Sequence, residues 1–450
     1  MKRSAWRYLW KSEDIRKKLL ITLLLLITYR AAANVPVPGI NRDVIASLVA
    51  TPGATGNLLG LLDLLSGGTI SSFSILAMGV YPYITAQIIL QLLVPIIPAL
   101  EAKMKDNPRE GKKWMEKWTM ILTIPMGLLA AIGQINIFNT MAAGSGQSVL
   151  TFTFGFTGAN LLPTTTILLS MLAGTMFGIW LGQLISEYGI PNQGLSLIIF
   201  AGIVAQIPNN LLGLLADKTN GWWMLILELV ILVLIIFAIV YVQQGRRNVP
   251  VLFPGRRVGN RMSMPVRSNL PLMVNMAGMI PLIFAQSILT FPAIISSYFV
   301  RSQTEWIANF ANGVYTTFNG SSAWYSILYF VMVVAFTYFY TDVLFAQQNY
   351  GENLKKQGAQ IPGVLRGEPT QKYLTKVQRR ITLPGAVFLG FVAVLPFLLN
   401  LLLPSSVGQS SLFVISAAGL LIVVGVVRDT FTIIETELKL HGYDDHLIKG

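Results

Sequence analysis

The sequence has no cysteine and only two histidines, His441 and His446, both in a polar C-terminal stretch. Disulfides, thiolate or haem-type ligation, and histidine-based acid/base or zinc chemistry within the apolar part of the chain are therefore excluded. Charge is scarce too. Only 12% of the 450 residues are Asp, Glu, Lys or Arg, about half of the roughly 25% usual in soluble globular domains. A phosphate cradle is also missing: Gly111-Lys112 imitates the end of a P-loop, but Asp106 stands where that motif requires its first glycine. Any nucleotide energy has to come from a partner.

What the chain has in abundance is apolar sequence, 53% of residues with a mean hydropathy of +0.61. Ten hydrophobic segments lie at about 18–34, 73–94, 118–139, 163–186, 194–213, 222–243, 271–294, 323–346, 382–403 and 411–432. Each is near the roughly 20 residues a helix needs to cross hydrocarbon. The expected class is an all-α polytopic membrane protein.

An even number of spans puts both termini on one side, and the basic residues then sort sharply. Seven precede the first span, six lie between spans two and three, six between six and seven, seven between eight and nine, and Arg428, Lys439 and Lys449 make 29. Only Arg30, Arg42, Lys218 and Arg301 fall toward the other face. A bias of 29 to 4 predicts both ends in the cytoplasm. The first segment imitates a cleavable leader, with basic residues, an apolar Leu19 to Thr28 core and Ala31-Ala32-Ala33. Arg30 interrupts the cleavage region, and nine further spans hold the chain in the membrane without a leader, so the segment is read as a span.

Between the first two spans, Asn57 to Ser66 (Leu58, Leu59, Leu61, Leu62, Asp63, Leu64 and Leu65 among them) forms an apolar helix too short to cross. Gly67-Gly68 follows as a hinge. Such an element is either re-entrant and lipid-facing or a movable stopper in a cavity.

Ionisable residues inside spans mark enzymes and ion-coupled transporters, and here they are few: Glu228 inside span six, Asp342 near a cytoplasmic end, Glu187 and Asp429 at helix ends. No carboxylates are spaced as a metal cage. The spans carry neutral polarity and helix breakers instead, in Tyr81-Pro82-Tyr83-Ile84-Thr85-Ala86-Gln87 and in Pro271 through Asn275, Gly278, Pro281, Gln286, Ser287 and Pro292. These groups are either interhelical hydrogen-bonding glue or the lining of a neutral conduit. Basic loops at about 244–270 and 347–381 exceed the two to eight residues that join helices. Loops of that length suit docking to RNA, anionic lipid or an acidic protein surface.

Several strings, in order and attached to the appropriate spans, now converge. They are Val35-Pro36-Val37-Pro38-Gly39-Ile40, Leu65-Ser66-Gly67-Gly68 leading into Ala77 through Ile84, and Ile198 through Val204. Leu270 through Gly278, Asn353-Leu354-Lys355-Lys356 and Ile361-Pro362-Gly363 complete the set. Over nearly its whole length the chain resembles the SecY family of bacterial protein-conducting channel subunits.

The resemblance implies two five-helix halves of opposite topology, 1–213 and 214–432, around an hourglass pore, with a cytoplasmic tail at 433–450. It implies a pore ring of Val80, Ile84, Ile199, Ile203, Ile283 and Ile422, a plug at 57–66 on the external side, and a lateral-gate cluster of Thr85, Gln134 and Asn275. A narrow apolar collar dewets and so blocks ions while flexing around an extended chain. Docking residues implied on the loops are Arg256, Arg257, Arg261, Lys355, Lys356 and Arg366. The family pattern sets an arginine directly after Pro-Gly-Ile. Here Pro362-Gly363-Val364 is followed by Leu365, with Arg366 one place later. Implied partners are the SecE and SecG subunits, the SecA ATPase, the ribosome, signal sequences and nascent polypeptides, SecDF, YidC and membrane lipid. No cofactor is implied, nor enzymatic activity, and the implied location is the bacterial inner membrane. The alternative expectation is a secondary transporter with inverted repeats and broken helices, for which Glu228 is the one candidate coupling residue.

Overall fold

A computed structural model describes residues 12–41, 44–45, 73–94, 96–144, 148–152, 154–155, 158–216, 221–254, 257–258, 261–262, 266–300, 304–318, 322–402 and 417–440. In chain order the helices are α1 (Glu13–Ala32), α2 (Tyr81–Leu93), α3 (Pro98–Asp106), α4 (Pro108–Gly144), α5 (Leu161–Tyr188), α6 (Gly194–Ala216) and α7 (Gly221–Gln244). Strands β1 (Arg246–Phe253), β2 (Arg257–Val258), β3 (Arg261–Met262) and β4 (Val266–Met273) follow. Then come α8 (Ile280–Phe299), α9 (Glu305–Phe318), α10 (Ala323–Gln348), α11 (Tyr350–Lys356), α12 (Glu368–Leu402) and α13 (Ala417–Leu440).

Every one of the ten apolar segments carries a helix, but among the described residues two of them open with a long non-helical stretch. Residues 73–80 form turns, and α2 begins at Tyr81 with Pro82 in its first turn. Residues 271–273 finish β4, a turn through Gly278 (φ 64°) follows, and α8 begins at Ile280 with Pro281 in its first turn. A proline lacks the N–H that a first helical turn leaves unpaired, and it biases the residue before it away from helix. Hydropathy records burial rather than helix, so the apolar runs overstate both elements. The 13 residues of α2 reach about 20 Å, short of the roughly 30 Å hydrocarbon core. Non-helical backbone is tolerated at that depth only inside protein, and Phe73, Ser74, Leu76, Ala77, Met78 and Val80 are all buried.

That turn is held from two sides. The Ile75 amide donates to the Val35 carbonyl (3.0 Å) and the Val37 amide to the Phe73 carbonyl (3.3 Å), so the Val35–Gly39 string clamps the approach to α2. On the other side α5 comes so close that a Cβ on Gly174 would lie 1.9 Å from the Ile75 carbonyl oxygen. The α5–α6 contact is equally tight: a Cβ on Gly194 would lie 1.7 Å from the Gly182 carbonyl oxygen. Helix α1 packs on α5 and α6, with Tyr29 fully buried in the central core.

The outer surface is apolar where it would meet lipid. Leu20, Leu23, Leu24 and Ile27 on α1, Leu162 and Leu169 on α5, Leu234 and Phe237 on α7, and Phe391 on α12 are all exposed. Among the described residues four helical stretches are individually long and apolar enough to cross a membrane: Arg109–Asn139, Leu161–Tyr188, Ala323–Lys356 and Glu368–Leu395. Helices α3, α9 and α11, and the start of α12 well before residue 382, were not anticipated from the apolar runs.

Candidate functional site

The expected ring residues come from four elements. Val80 ends the clamped turn and Ile84 lies one helical turn into α2; Ile199 and Ile203 share one face of α6; Ile283 sits in the first turn of α8 and Ile422 on α13. Val80, Ile199, Ile203, Ile283 and Ile422 are all buried within one apolar cluster, and half-buried Ile84 packs against it. Both parts of the chain contribute: α8 packs on α2 and α4, while α6 packs on α7 and α13. The aliphatic side chains therefore lie in the protein interior, not on the lipid surface.

The surroundings are neutral. Among the described residues no charged side chain is buried; the buried polar groups are those of Thr, Ser, Asn and Gln and the hydroxyls of tyrosines. Asp342 is half-buried on α10 and accepts from Arg379 Nε at 3.0 and 3.1 Å, Asp429 is bound by Arg428, and Glu187 is exposed. Of these only Glu187 stands at a helix end; Asp429, expected at one, lies at the middle of α13 because that helix continues past the apolar run to Leu440, and Asp342 lies inside α10. Glu228 lies on α7, with its side chain outside the described residues.

The three expected gate residues are buried but do not bond one another. Thr85 donates to the carbonyls of Pro82 (2.9 Å) and Tyr81 (3.2 Å) in its own helix. Asn275 both donates to and accepts from the backbone of Gly278 (3.1 and 3.0 Å), closing the turn before α8. Gln134 on α4 reaches the Ala77 carbonyl at 3.5 Å. The seam between α2 and α8 is crossed instead by Tyr81, whose hydroxyl donates to the Ser287 carbonyl at 3.4 Å. Ser287's own hydroxyl is buried without a partner. Next to this bond Ile88, Ala277, Phe284 and Tyr340 form an apolar cluster, with Phe284 edge-on to Tyr340 at 5.6 Å. Tyr81 and Ser287 stood in the polar strings of the sequence, but only the fold pairs them.

The plug expected at 57–66 lies outside the described residues, as does Arg256. The two basic loops are better built than their composition suggested. β1 and β4 pair antiparallel from Arg246↔Met273 to Phe253↔Val266, and β2 and β3 pair separately with Arg257 opposite Met262 and Val258 opposite Arg261. The backbones of Leu252 and Gln360 exchange two hydrogen bonds of 2.8 Å, joining the hairpin to the second loop. Val249, Val251, Leu272, Leu354, Ile361 and Leu374 share a small core beneath them. Lys355, Lys356 and Arg366 are exposed on this unit, Lys356 paired with Glu352 at 3.2 Å.

A model of the SecY family matches residues 74–431, a stretch containing all six ring positions. The chain belongs to the SecY family. It is 35% identical to the protein translocase subunit SecY of Streptomyces griseus, covering 99% of both chains, and 36% identical to that of Chlamydia trachomatis, covering 98% of both. Among solved structures its fold matches one described as a protein conducting channel, with a TM-score of 0.62, 17% identity and coverage of 98% of this chain and 99% of that one. It also matches Sec61 in a canine ribosome-channel complex, with a TM-score of 0.59, 16% identity and the same coverage. At those identities the structural likeness carries the fold: an all-α polytopic membrane protein of the SecY type.

Proposed function

We propose that this chain is the pore subunit of a protein translocase, conducting unfolded secretory polypeptides through the Val80–Ile84–Ile199–Ile203–Ile283–Ile422 collar and releasing apolar segments sideways between α2/α4 and α8/α10. One observation carries the reading: five of the six positions, drawn from both parts of the chain, are buried in one apolar cluster, and Ile84 packs against it. A neutral collar of this kind closes by dewetting and opens around an extended chain of any sequence.

No bond is made or broken. Sorting follows from transfer energies: ten leucines at about −0.5 kcal/mol each favour lipid by about 5 kcal/mol, while one central Lys or Arg opposes it by about 3. Work comes from outside, from the SecA ATPase or the ribosome engaging the hairpin and the 360s turn, with SecE and SecG as companion subunits. The residues 57–66 act as the plug from the external side, and the basic bias places both termini in the cytoplasm of a bacterial cell.

The test is reconstitution. The chain, copurified with SecE and SecG and placed in proteoliposomes, should deliver a preprotein to a protease-protected lumen when SecA and ATP are supplied. Absence of protected product would overturn the proposal. The Glu228→Gln variant should transport as well as the parent chain; its inactivity would favour an ion-coupled transporter instead.

A further inference from the structure

Helix α9 joins the outer ends of α8 and α10 and, unlike the spans, divides its surface three ways. Ala311 is buried and Ile307, Val314 and Phe318 are half-buried on the side that meets the protein, where α9 packs along α8. Glu305, Asn309, Asn312 and Thr316 are exposed along a second flank. On the third, Trp306 (76% exposed) and Phe310 (66%) stack one turn apart, ring centroids 6.2 Å apart and planes 17° from parallel. Phe299 at the end of α8 and Trp324 at the start of α10 are exposed aromatics as well.

A helix with one flank for protein, one for water and one for aromatic side chains matches the boundary between hydrocarbon and headgroups. Indole and phenyl rings concentrate there, and interfacial helices bury an apolar face about 5–10 Å deep. We propose that α9 lies in the outer-leaflet interface with Trp306 and Phe310 seated in lipid, anchoring the outer ends of α8 and α10 in the bilayer. Residues 305–318 carry no cation and one acidic side chain, Glu305, so the recognised partner is the apolar–headgroup boundary itself rather than an anionic lipid. The side of the membrane rests on the topology proposed above; the contact with lipid does not.

Because the sequence contains no cysteine, a single introduced thiol can be spin-labelled selectively in the reconstituted complex, its partner subunits being kept cysteine-free. Gly313 is exposed on the aromatic flank, and a Cβ there meets nothing within 4 Å, so Gly313→Cys leaves both rings in place. Asn312→Cys samples the polar flank. In vesicles of zwitterionic phospholipid, power-saturation spectra should show oxygen relaxing the Gly313→Cys label severalfold more than a water-soluble nickel chelate does, and the reverse at Asn312→Cys. Adding Trp306→Ser and Phe310→Ser should move the Gly313→Cys label toward the chelate. Chelate access at both positions would mean that the rings face water. Exclusion of both reagents at Gly313→Cys would mean that a subunit or second copy covers them. Either result overturns the proposal. Reaction of Asn312→Cys with an impermeant thiol reagent from only one side reports the topology separately.

Discussion

The hydroxyl of Tyr81 donates to the backbone carbonyl of Ser287 across 3.4 Å, tying α2 to α8 at the seam where cargo would leave sideways. Interhelical polar contacts in membranes average about 0.6 kcal/mol, so its removal should raise the open population by about threefold. Tyr81→Phe should therefore export a preprotein with a weakened signal sequence up to about threefold faster and leave a normal signal unaffected. Identical rates for the weakened signal would remove this bond from the gate.

The collar makes an electrical prediction. Asn in place of Ile199 or Ile283 puts a hydrogen-bonding group into the buried aliphatic cluster, where it favours water over vapour. Every 1.4 kcal/mol so gained is about tenfold in hydrated population. Planar-bilayer recordings of the resting complex should show a leak of at least that order, with defective signal sequences exported more readily. Resting conductance equal to that of the parent chain would refute the role assigned to these positions.

Gly174 tests how the collar is held. An added methyl group would sit 1.9 Å from the Ile75 carbonyl oxygen, against backbone that is itself bonded to Val35. Overpacking of this kind costs about 1–3 kcal/mol, and relief means moving the turn that ends at Val80. Gly174→Ala should lower the thermal stability of the complex in detergent and raise its resting ion leak together, whereas Gly313→Ala, which meets open space, should do neither. A destabilised but leak-free Gly174→Ala protein would detach the turn from the seal.

How much of this was legible in the sequence differs from part to part. The spans were, because hydrocarbon demands long apolar stretches. The ends of α2 and α8 were not. Leu76, Ala77 and Met276 are as hydrophobic in a buried turn as in a helix, and hydropathy cannot tell the two apart. The ring positions are proposed through the family strings alone, since Ile199 and Ile203 look like any packed pair on an apolar helix. The gate was read as a polar triad, but Thr85 and Asn275 bond within their own segments, a local choice open to short polar side chains. Tyr81, long enough to reach across, was the one to pair between helices. The loop core escaped notice because Val249, Ile361 and Leu374 are scattered over more than a hundred residues, and only strand pairing brings them together.

The loop unit itself predicts a separation of functions. Gly363 (φ 80°) and Gly367 (φ 90°) adopt a left-handed backbone that other residues rarely take. The turn between them presents exposed Leu365 and Arg366 at its tip while Ile361 at its base is buried in the loop core. Displacing the arginine by one position from the family pattern keeps it at the tip, so a docking partner still meets a cation. Charge reversal at an exposed docking site chiefly alters association rate and its salt dependence. Arg366→Glu should accordingly slow SecA-driven export of a preprotein, the more so at low salt, while ribosome-coupled insertion of an apolar span is spared. Ile361→Asp, which buries a charge in the core shared by both loops, should lose both activities. If Arg366→Glu depressed export and insertion equally, the tip would be a structural part of the loop unit and the motor contact would have to lie elsewhere on the hairpin.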